Sequence, residues 1–321
     1  MAAAVTKSYE KFNYLLRPSK QVERKLFIET FHHLRAAGYP IDKYTYIGLG
    51  SVFYADFILF HKYLYIDVMT RVEWADIERR MRFNKPFDFV TLKMGAVSEI
   101  ISGLSRKTRH LVWLDYDRPM DSEMLNDLDG FLQVLAPGSL ILITVEAEPR
   151  LSEPEFEDLS AHRKEKRYLE YFRSEFSSLI TDNIRLPDLA RNDLPSLLRR
   201  ILHSQVSKSL VSRSPLNFHQ LFSFVYADGA QMFTLGGIID GENAHERLRK
   251  AGILNLAHVR TGDRIEKISV PPLTVREKEW IDSKLLSGSK RVGNSLGLEP
   301  RLLRNYIAFY KYYPTYFETL T

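Results

Sequence analysis

Four short stretches of the 321-residue sequence carry the groups that could do chemistry. They are Gly48-Leu-Gly50-Ser51, Glu73-Trp74, Gly95-Ala96 and Asp115-Tyr116-Asp117. A Gly-x-Gly turn lets a ligand approach the backbone without a Cβ in the way, although many such turns bind nothing. A carboxylate such as Glu73 can accept two hydrogen bonds from the hydroxyls of a ribose, and Trp74 either lies against a base or belongs to the core. No third glycine follows Gly50, which disfavours a pyrophosphate site and favours a nucleoside ligand without phosphates.

The elements that must position these groups are β-strands, because each stretch follows a run of aromatic, β-branched or apolar residues. Strands are predicted at 44–47, 68–74, 87–94, 110–115 and 139–145, and helices at 54–65, 75–81, 97–104 and 123–135. Such alternation predicts a Rossmann-like, doubly wound α/β fold with a mostly parallel sheet and helices on both faces. The ends of the parallel strands then lie along one edge of the sheet, where these folds bind ligands.

Outside this pattern we divide the chain into further segments. An N-terminal helical segment covers 1–39, the α/β core 40–145 and a helical insertion 146–217. Two strand-like runs joined by Ala227-Asp-Gly-Ala230 predict an antiparallel closing hairpin within 218–270. A helical, aromatic-rich tail follows at 271–321, where Thr274 and Glu277 form a predicted capping box. The tail aromatics either stack on nucleic-acid bases or pack the tail onto the domain.

Charge and composition exclude several classes of function. The chain has no cysteine, so disulfides, thiolate zinc sites and a cysteine nucleophile are ruled out, and it contains no metal-binding motif. It has no long apolar run and no signal peptide, so we expect a cytoplasmic protein without a membrane contact. The net charge is +5, and residues 160–215 hold 11 Lys/Arg against 6 Asp/Glu. This basic insertion predicts either a nucleic-acid contact or a solvated helical surface, and an oligomer is left open.

A helix starting at Pro18 and stopping at Gly38 places three cations near one another. Arg17, Lys20 and Arg24 either point at an anionic group, such as the carboxylate of a ligand, or form a solvated charged surface together with Glu23.

The order of these motifs resembles the class I S-adenosylmethionine-dependent methyltransferases. The motifs are the Gly-x-Gly turn, the acid after strand two, Gly-Ala after strand three, Asp after strand four and Pro137-Gly138 before strand five. The resemblance covers about residues 40–145, and the closing hairpin extends it to about residue 240. It implies S-adenosyl-L-methionine as cofactor, with Gly48, Gly50 and Ser51 at the methionine part. It also implies Glu73 at the ribose, and Gly95 and Ala96 near the adenine.

The same resemblance implies that Asp115, Tyr116 and Asp117 face the substrate. Asp115 or Asp117 would accept a proton from, or orient, an oxygen or nitrogen acceptor that the sequence does not identify, with Tyr116 beside it. The sequence departs from the family where Tyr46 and Ser51 replace an acid and a further glycine. The alternative function is therefore a methyltransferase-fold binding or scaffold subunit that contacts nucleic acid or a protein. A nicotinamide-dependent oxidoreductase is a weaker reading, disfavoured by the missing third glycine.

Overall fold

The computed structural model of the chain describes residues 17–49, 51–73, 77–149, 160–180, 184–285 and 296–314. Within these ranges eight strands form one sheet. The strands are β1 Thr45–Gly48, β2 Val68–Glu73, β3 Val90–Met94, β4 His110–Pro119, β5 Ser139–Glu146, β6 Asn217–Ala227, β7 Gln231–Asp240 and β8 Glu266–Lys267.

The strand order is β3-β2-β1-β4-β5-β7-β6-β8. Strands β1 to β5 pair in parallel, β7 runs antiparallel between β5 and β6, and the short β8 adds a parallel contact to β6. The predicted mostly parallel sheet with a closing antiparallel hairpin is therefore confirmed. Sequence patterning gave no sign of β8, and it placed the start of β3 three residues too early, at Phe87 instead of Val90.

Ten α-helices lie in the described ranges, and several shorter 3-10 turns connect them. The α-helices are α1 Pro18–Leu34, α2 Ala55–Leu64, α3 Glu78–Phe83, α4 Val97–Ile101, α5 Ser122–Val134, α6 Ala161–Phe176, α7 Leu194–Leu210, α8 Ala244–Lys250, α9 Val275–Lys284 and α10 Pro300–Phe309. None of them is both long and apolar enough to cross a membrane.

The central strands are apolar throughout because helices cover both of their faces. On β4, Leu111 and Trp113 belong to a core cluster shared with α1 and α2. The alternate residues Val112 and Leu114 belong to a second cluster shared with α5, α6 and α7. The sheet therefore separates two apolar layers, which we call the α1 layer and the α7 layer.

Helix α1 crosses the sheet with its N-terminus at the edge where the parallel strands end. The backbone N–H groups of Ser19 and Lys20 donate to the two carboxylate oxygens of Asp228, at 3.0 and 2.9 Å. Asp228 lies in the turn between β6 and β7, and this turn meets the end of β5 because Glu146 pairs with Met232. The carboxylate satisfies N–H groups that a helix leaves without partners in its first turn.

The segment predicted as an insertion is only partly an appendage. The buried side of α7 carries Leu198, Ile201 and Leu202, which belong to the α7 layer, so this helix covers the sheet as the other core helices do. Helix α6 adds Tyr168 and Phe172 to the same layer, and its basic residues lie on the opposite, solvated side.

The described part of the aromatic tail packs onto the domain, and the predicted aromatic positions Tyr316 and Phe317 lie outside the described residues. Ile281, Leu303 and Tyr306 form a small core of their own between α9 and α10. The Tyr312 hydroxyl donates to Glu29 of α1 at 2.5 Å, and Tyr313 donates to the carbonyl of Pro271 at 3.0 Å. The capping box of Thr274 at the start of α9 is present as predicted.

Candidate functional site

The ends of the parallel strands bring the predicted cofactor residues to one edge of the sheet, which we call the carboxyl edge. Gly48 of β1 lies opposite Arg71 of β2, two residues before Glu73. The backbone N–H of Gly95 donates to the carbonyl of Glu73 at 3.0 Å, so the turn after β3 lies beside the acid that ends β2. Gly50 and Trp74 lie outside the described residues, and their predicted roles stay predictions.

Gly48 is required by the neighbouring side chain of Tyr46. A Cβ on Gly48 would overlap the phenol ring of Tyr46, whose hydroxyl donates a short hydrogen bond to the buried carboxylate of Asp56. Burial, followed by the charge of Asp56, holds the pKa of Tyr46 well above its usual value, so the phenol remains a donor. Tyr46 stands where the resembled family has an acid, and Asp56 of α2 supplies a carboxylate next to it.

A buried arginine ties the first turn to the acid of β2. The guanidinium of Arg71 donates to the Ser51 carbonyl at 2.7 Å and to the Glu73 carboxylate at 2.9 Å. It also lies 4.7 Å from the centre of the Tyr54 ring. Glu73 and Ser51, both predicted at the cofactor, are thereby held relative to each other. The sequence analysis did not predict a role for Arg71, although a charged residue inside a buried strand could have indicated one.

The turn after β3 is built around a second conformationally required glycine. Gly95 has φ +134°, and a Cβ there would collide with the carboxylate of Glu99. L-residues with a side chain rarely adopt this backbone conformation. Ala96, the next residue, is exposed and immediately precedes α4. This places an open, exposed stretch of backbone beside Glu73, where the resemblance puts the adenine.

Asp115, the last residue of β4 before its register shifts against β5, is held by a lysine from α1. The Lys20 ammonium, which is fully buried, lies 2.7 Å from Asp115 Oδ1, 2.9 Å from the Tyr226 hydroxyl and 2.9 Å from Glu23 Oε2. It also lies 4.3 Å from the centre of the Trp113 ring. Glu23 in turn accepts from Thr234 at 2.5 Å. The reading of Lys20, Glu23 and Arg24 as a solvated surface is therefore wrong, because α1 buries this side against the sheet.

Arg24 lies in the same buried region with unused donors. Only 2% of its surface is exposed, and its Nε and Nη1 atoms have no hydrogen-bond partner among the described residues. Its charge lowers the pKa values of the nearby Tyr46 and Tyr226, against the larger effect of burial. Tyr46, whose pKa the Arg24 charge affects, is also the side chain next to Gly48. A buried cation with free donors is costly unless an anion completes it.

The residues after Asp115 do not join it. The Tyr116 hydroxyl donates to Asp127 of α5 at 2.7 Å, in the α7 layer, whereas Asp115 faces α1. Burial and the charge of Asp127 raise the pKa of Tyr116, so its phenol stays protonated. Asp117 is exposed. Tyr116 therefore points to the opposite face of the sheet from Asp115, and Asp115 is the member that shares the buried region with Lys20 and Arg24. Among the described residues no group of His, Asp and Glu could hold a metal ion.

Comparison with known proteins identifies the family. The family described as "Putative O-methyltransferase" matches residues 12–321. The chain belongs to this methyltransferase family. The family resemblance and the enzyme class predicted from the sequence are thus confirmed. No curated protein matches the chain.

Several solved structures show partial similarity. Fibrillarin pre-rRNA processing protein of Methanococcus jannaschii is 10% identical with a TM-score of 0.35, covering 64% of this chain and 70% of its own. Trm1 of Pyrococcus horikoshii, solved with S-adenosyl-L-methionine, is 12% identical with a TM-score of 0.42, covering 71% and 58%. A "putative O-methyltransferase" of Klebsiella pneumoniae is 13% identical with a TM-score of 0.35, covering 74% and 83%. The match to the family, and not the similarity to these structures, shows which family the chain belongs to.

Proposed function

We propose that this chain transfers the methyl group of S-adenosyl-L-methionine to an oxygen acceptor, with the cofactor bound at the carboxyl edge. The family description names oxygen, which narrows the sequence-based expectation of an oxygen or nitrogen acceptor. The observation that carries the proposal is the arrangement of Glu73, Ser51 and the Gly95 turn around the buried Arg71. This arrangement holds the Glu73 carboxylate, which can bind a ribose, next to the exposed backbone of the Gly95 turn, where a base can lie.

The residues of the carboxyl edge fit both ends of this cofactor. Glu73 offers carboxylate oxygens to the two ribose hydroxyls, and its side chain remains 13% exposed while Arg71 holds it. Arg24 offers buried guanidinium donors that match a carboxylate, and the methionine part of the cofactor carries one. When bound, the cofactor supplies an electrophilic methyl group on a sulfonium.

Asp115 is the residue of this chain best placed at the acceptor. Methyl transfer is an in-line displacement, so the protein mainly orients the acceptor and excludes water. Lys20 fixes Asp115 Oδ1, and the Asp115 side chain remains 20% exposed. Oδ2 accepts the hydrogen bond of an acceptor hydroxyl and takes its proton as the methyl group is transferred. Tyr116 lies on the other face of the sheet, and Asp117 is exposed.

The test is calorimetric titration with S-adenosylmethionine and, separately, S-adenosylhomocysteine. We expect binding in the native protein and, in Glu73→Ala, an affinity lower by about tenfold or more, because a charged hydrogen-bond acceptor is lost. Glu78→Ala is the matched control, since it removes the same charge from an exposed helix nearby. If the folded protein bound neither compound, the enzyme function would fail for the isolated chain. The alternative, a methyltransferase-fold scaffold, would then take its place.

A nucleic-acid contact through 160–215 stays a prediction based on charge. Binding of DNA or RNA that weakens as salt concentration rises would support it.

A further inference from the structure

A polar cavity of about 450 Å³ lies on the α7 layer, away from the carboxyl edge. It opens between α7, the end of the segment that follows α6, and the loop that precedes β8. Its polar lining includes Arg199, Arg200, His203, Ser204, Ser207 and Asp263. None of these residues belongs to the network around Lys20, Arg24 and Glu73, so the cavity is separate from the proposed cofactor site.

Arg199 is the most buried charged residue of this cavity. Its side chain is 10% exposed, and its Nε atom has no hydrogen-bond partner within the described residues. Its Nη2 lies 2.8 Å from Asp263 Oδ1, whereas the Asp263 side chain is 98% exposed. A buried guanidinium is thus neutralised by a carboxylate that is almost wholly in water. Because an exposed partner competes with solvent, such a pair contributes little stability and another anion can displace it.

The charge and donor types around the cavity favour a phosphate as that other anion. Arg199 and Arg200 are adjacent on α7, and guanidinium groups match the oxygens of phosphate in pairs. Ser204 and Ser207, one and two turns further along, add hydroxyl donors on the same side. Arg260 and Arg264 lie in the loop segment beside Asp263 and share the single carboxylate of Glu266. Among the described lining residues Asp263 is the one acid, against the two arginines.

We propose that this cavity binds the phosphate group of a small phosphorylated molecule. Arg199 and Arg200 are its cationic partners, and Asp263 is the carboxylate that the phosphate displaces. The volume suits a phosphorylated metabolite, since small-molecule sites span roughly 300–1,000 Å³.

The experiment uses the full chain and titrates it with inorganic phosphate and with pyrophosphate by calorimetry, at constant ionic strength in a phosphate-free buffer. Asp263→Asn keeps the shape of the side chain and removes the competing charge, so we expect phosphate affinity to rise about fivefold. Arg200→Gln should lower it by about tenfold or more, because a charge-assisted hydrogen bond is lost. Arg200 is chosen over the buried Arg199, whose replacement risks misfolding.

Arg264→Gln is the matched control for Arg200→Gln. It removes the same positive charge, but from the loop that carries Asp263, at a side chain that is 78% exposed and outside the cavity. We expect it to change phosphate affinity by less than about twofold. An equal loss in Arg264→Gln and Arg200→Gln would overturn the proposal, since general charge would then explain the binding. So would the absence of phosphate and pyrophosphate binding at millimolar concentrations in both the native protein and Asp263→Asn.

Single-stranded oligonucleotides form the third arm of the experiment. If they bound while inorganic phosphate and pyrophosphate did not, the small-molecule site would be refuted in favour of a polyanion surface. S-Adenosylhomocysteine affinity should be the same in all three variants. That readout keeps the outcome at this cavity independent of the outcome at the carboxyl edge.

Discussion

Replacing Arg24 by methionine separates what α1 does for the cofactor from what it does for the fold. Methionine keeps an apolar, unbranched side chain in a buried place while removing the guanidinium. In the free protein the Nε and Nη1 donors of Arg24 have no partner among the described residues. We therefore expect Arg24→Met to bind the cofactor weakly while its free form is at least as stable as the native protein.

The magnitude follows from these two donors. A hydrogen bond to a charged group contributes at least about 1.5 kcal/mol, so two of them to a carboxylate contribute about 3 kcal/mol. That corresponds to a roughly 150-fold loss of S-adenosylhomocysteine affinity. In the free protein an unpaired buried polar group costs about 1–3 kcal/mol, and its removal should raise Tm by a few degrees, roughly 2–4 °C per kcal/mol.

The assay compares two ligands by calorimetry. S-Adenosylhomocysteine carries the amino-acid carboxylate, whereas 5′-methylthioadenosine has the same nucleoside without it. Arg24→Met should lose affinity for the first and keep that for the second within about twofold. Lys25→Met is the matched control, because it removes a charge from the next position of α1, where the ammonium contacts the Tyr312 carbonyl instead.

Two results would refute the reasoning about Arg24. Undiminished S-adenosylhomocysteine binding by Arg24→Met would show that the guanidinium does not contact the carboxylate. Equal losses for both ligands would show that Arg24 supports the nucleoside part or the fold in general.

Two further predictions concern other buried titratable groups. Lys20→Met leaves two carboxylates of its network without their cation, and we expect unfolding free energy in urea to fall by about 3–5 kcal/mol. Adding Glu23→Gln should restore part of it, and no restoration would contradict a charge-based cause. Burial lowers the pKa of His258 to about 4. In the unfolded state His258 has a pKa near 6.5, so as pH falls it takes up a proton there before it does so in the folded state. The stability that its neutral, buried imidazole contributes is therefore present above about pH 6.5 and is lost as pH falls toward 4. Between pH 8 and pH 5 the loss should be about 2 kcal/mol, and His258→Gln should flatten that pH dependence in urea denaturation.

The fold was largely predictable because its elements are encoded locally. The apolar runs of β4 and β5 and the stops at Gly38 and Gly138 mark strands and helix ends by patterns a few residues long. The closing hairpin was predicted in the same way, from Asp228-Gly229 at its turn. The two-residue β8 has no such pattern, since it exists only through its contact with β6.

The sequence by itself determined that Gly48, Glu73 and Gly95 lie at strand ends and that Asp115 follows the apolar part of β4, and therefore that these residues meet at one edge. Parallel pairing makes that outcome a consequence of strand order. The tertiary structure alone decided what those residues contact. Asp115 meets Lys20 across 95 positions of sequence because α1 crosses β4 at this residue. The same crossing buries charged side chains of α1. Helical periodicity shows which residues share one side of a helix, but not whether that side packs against the protein or faces solvent.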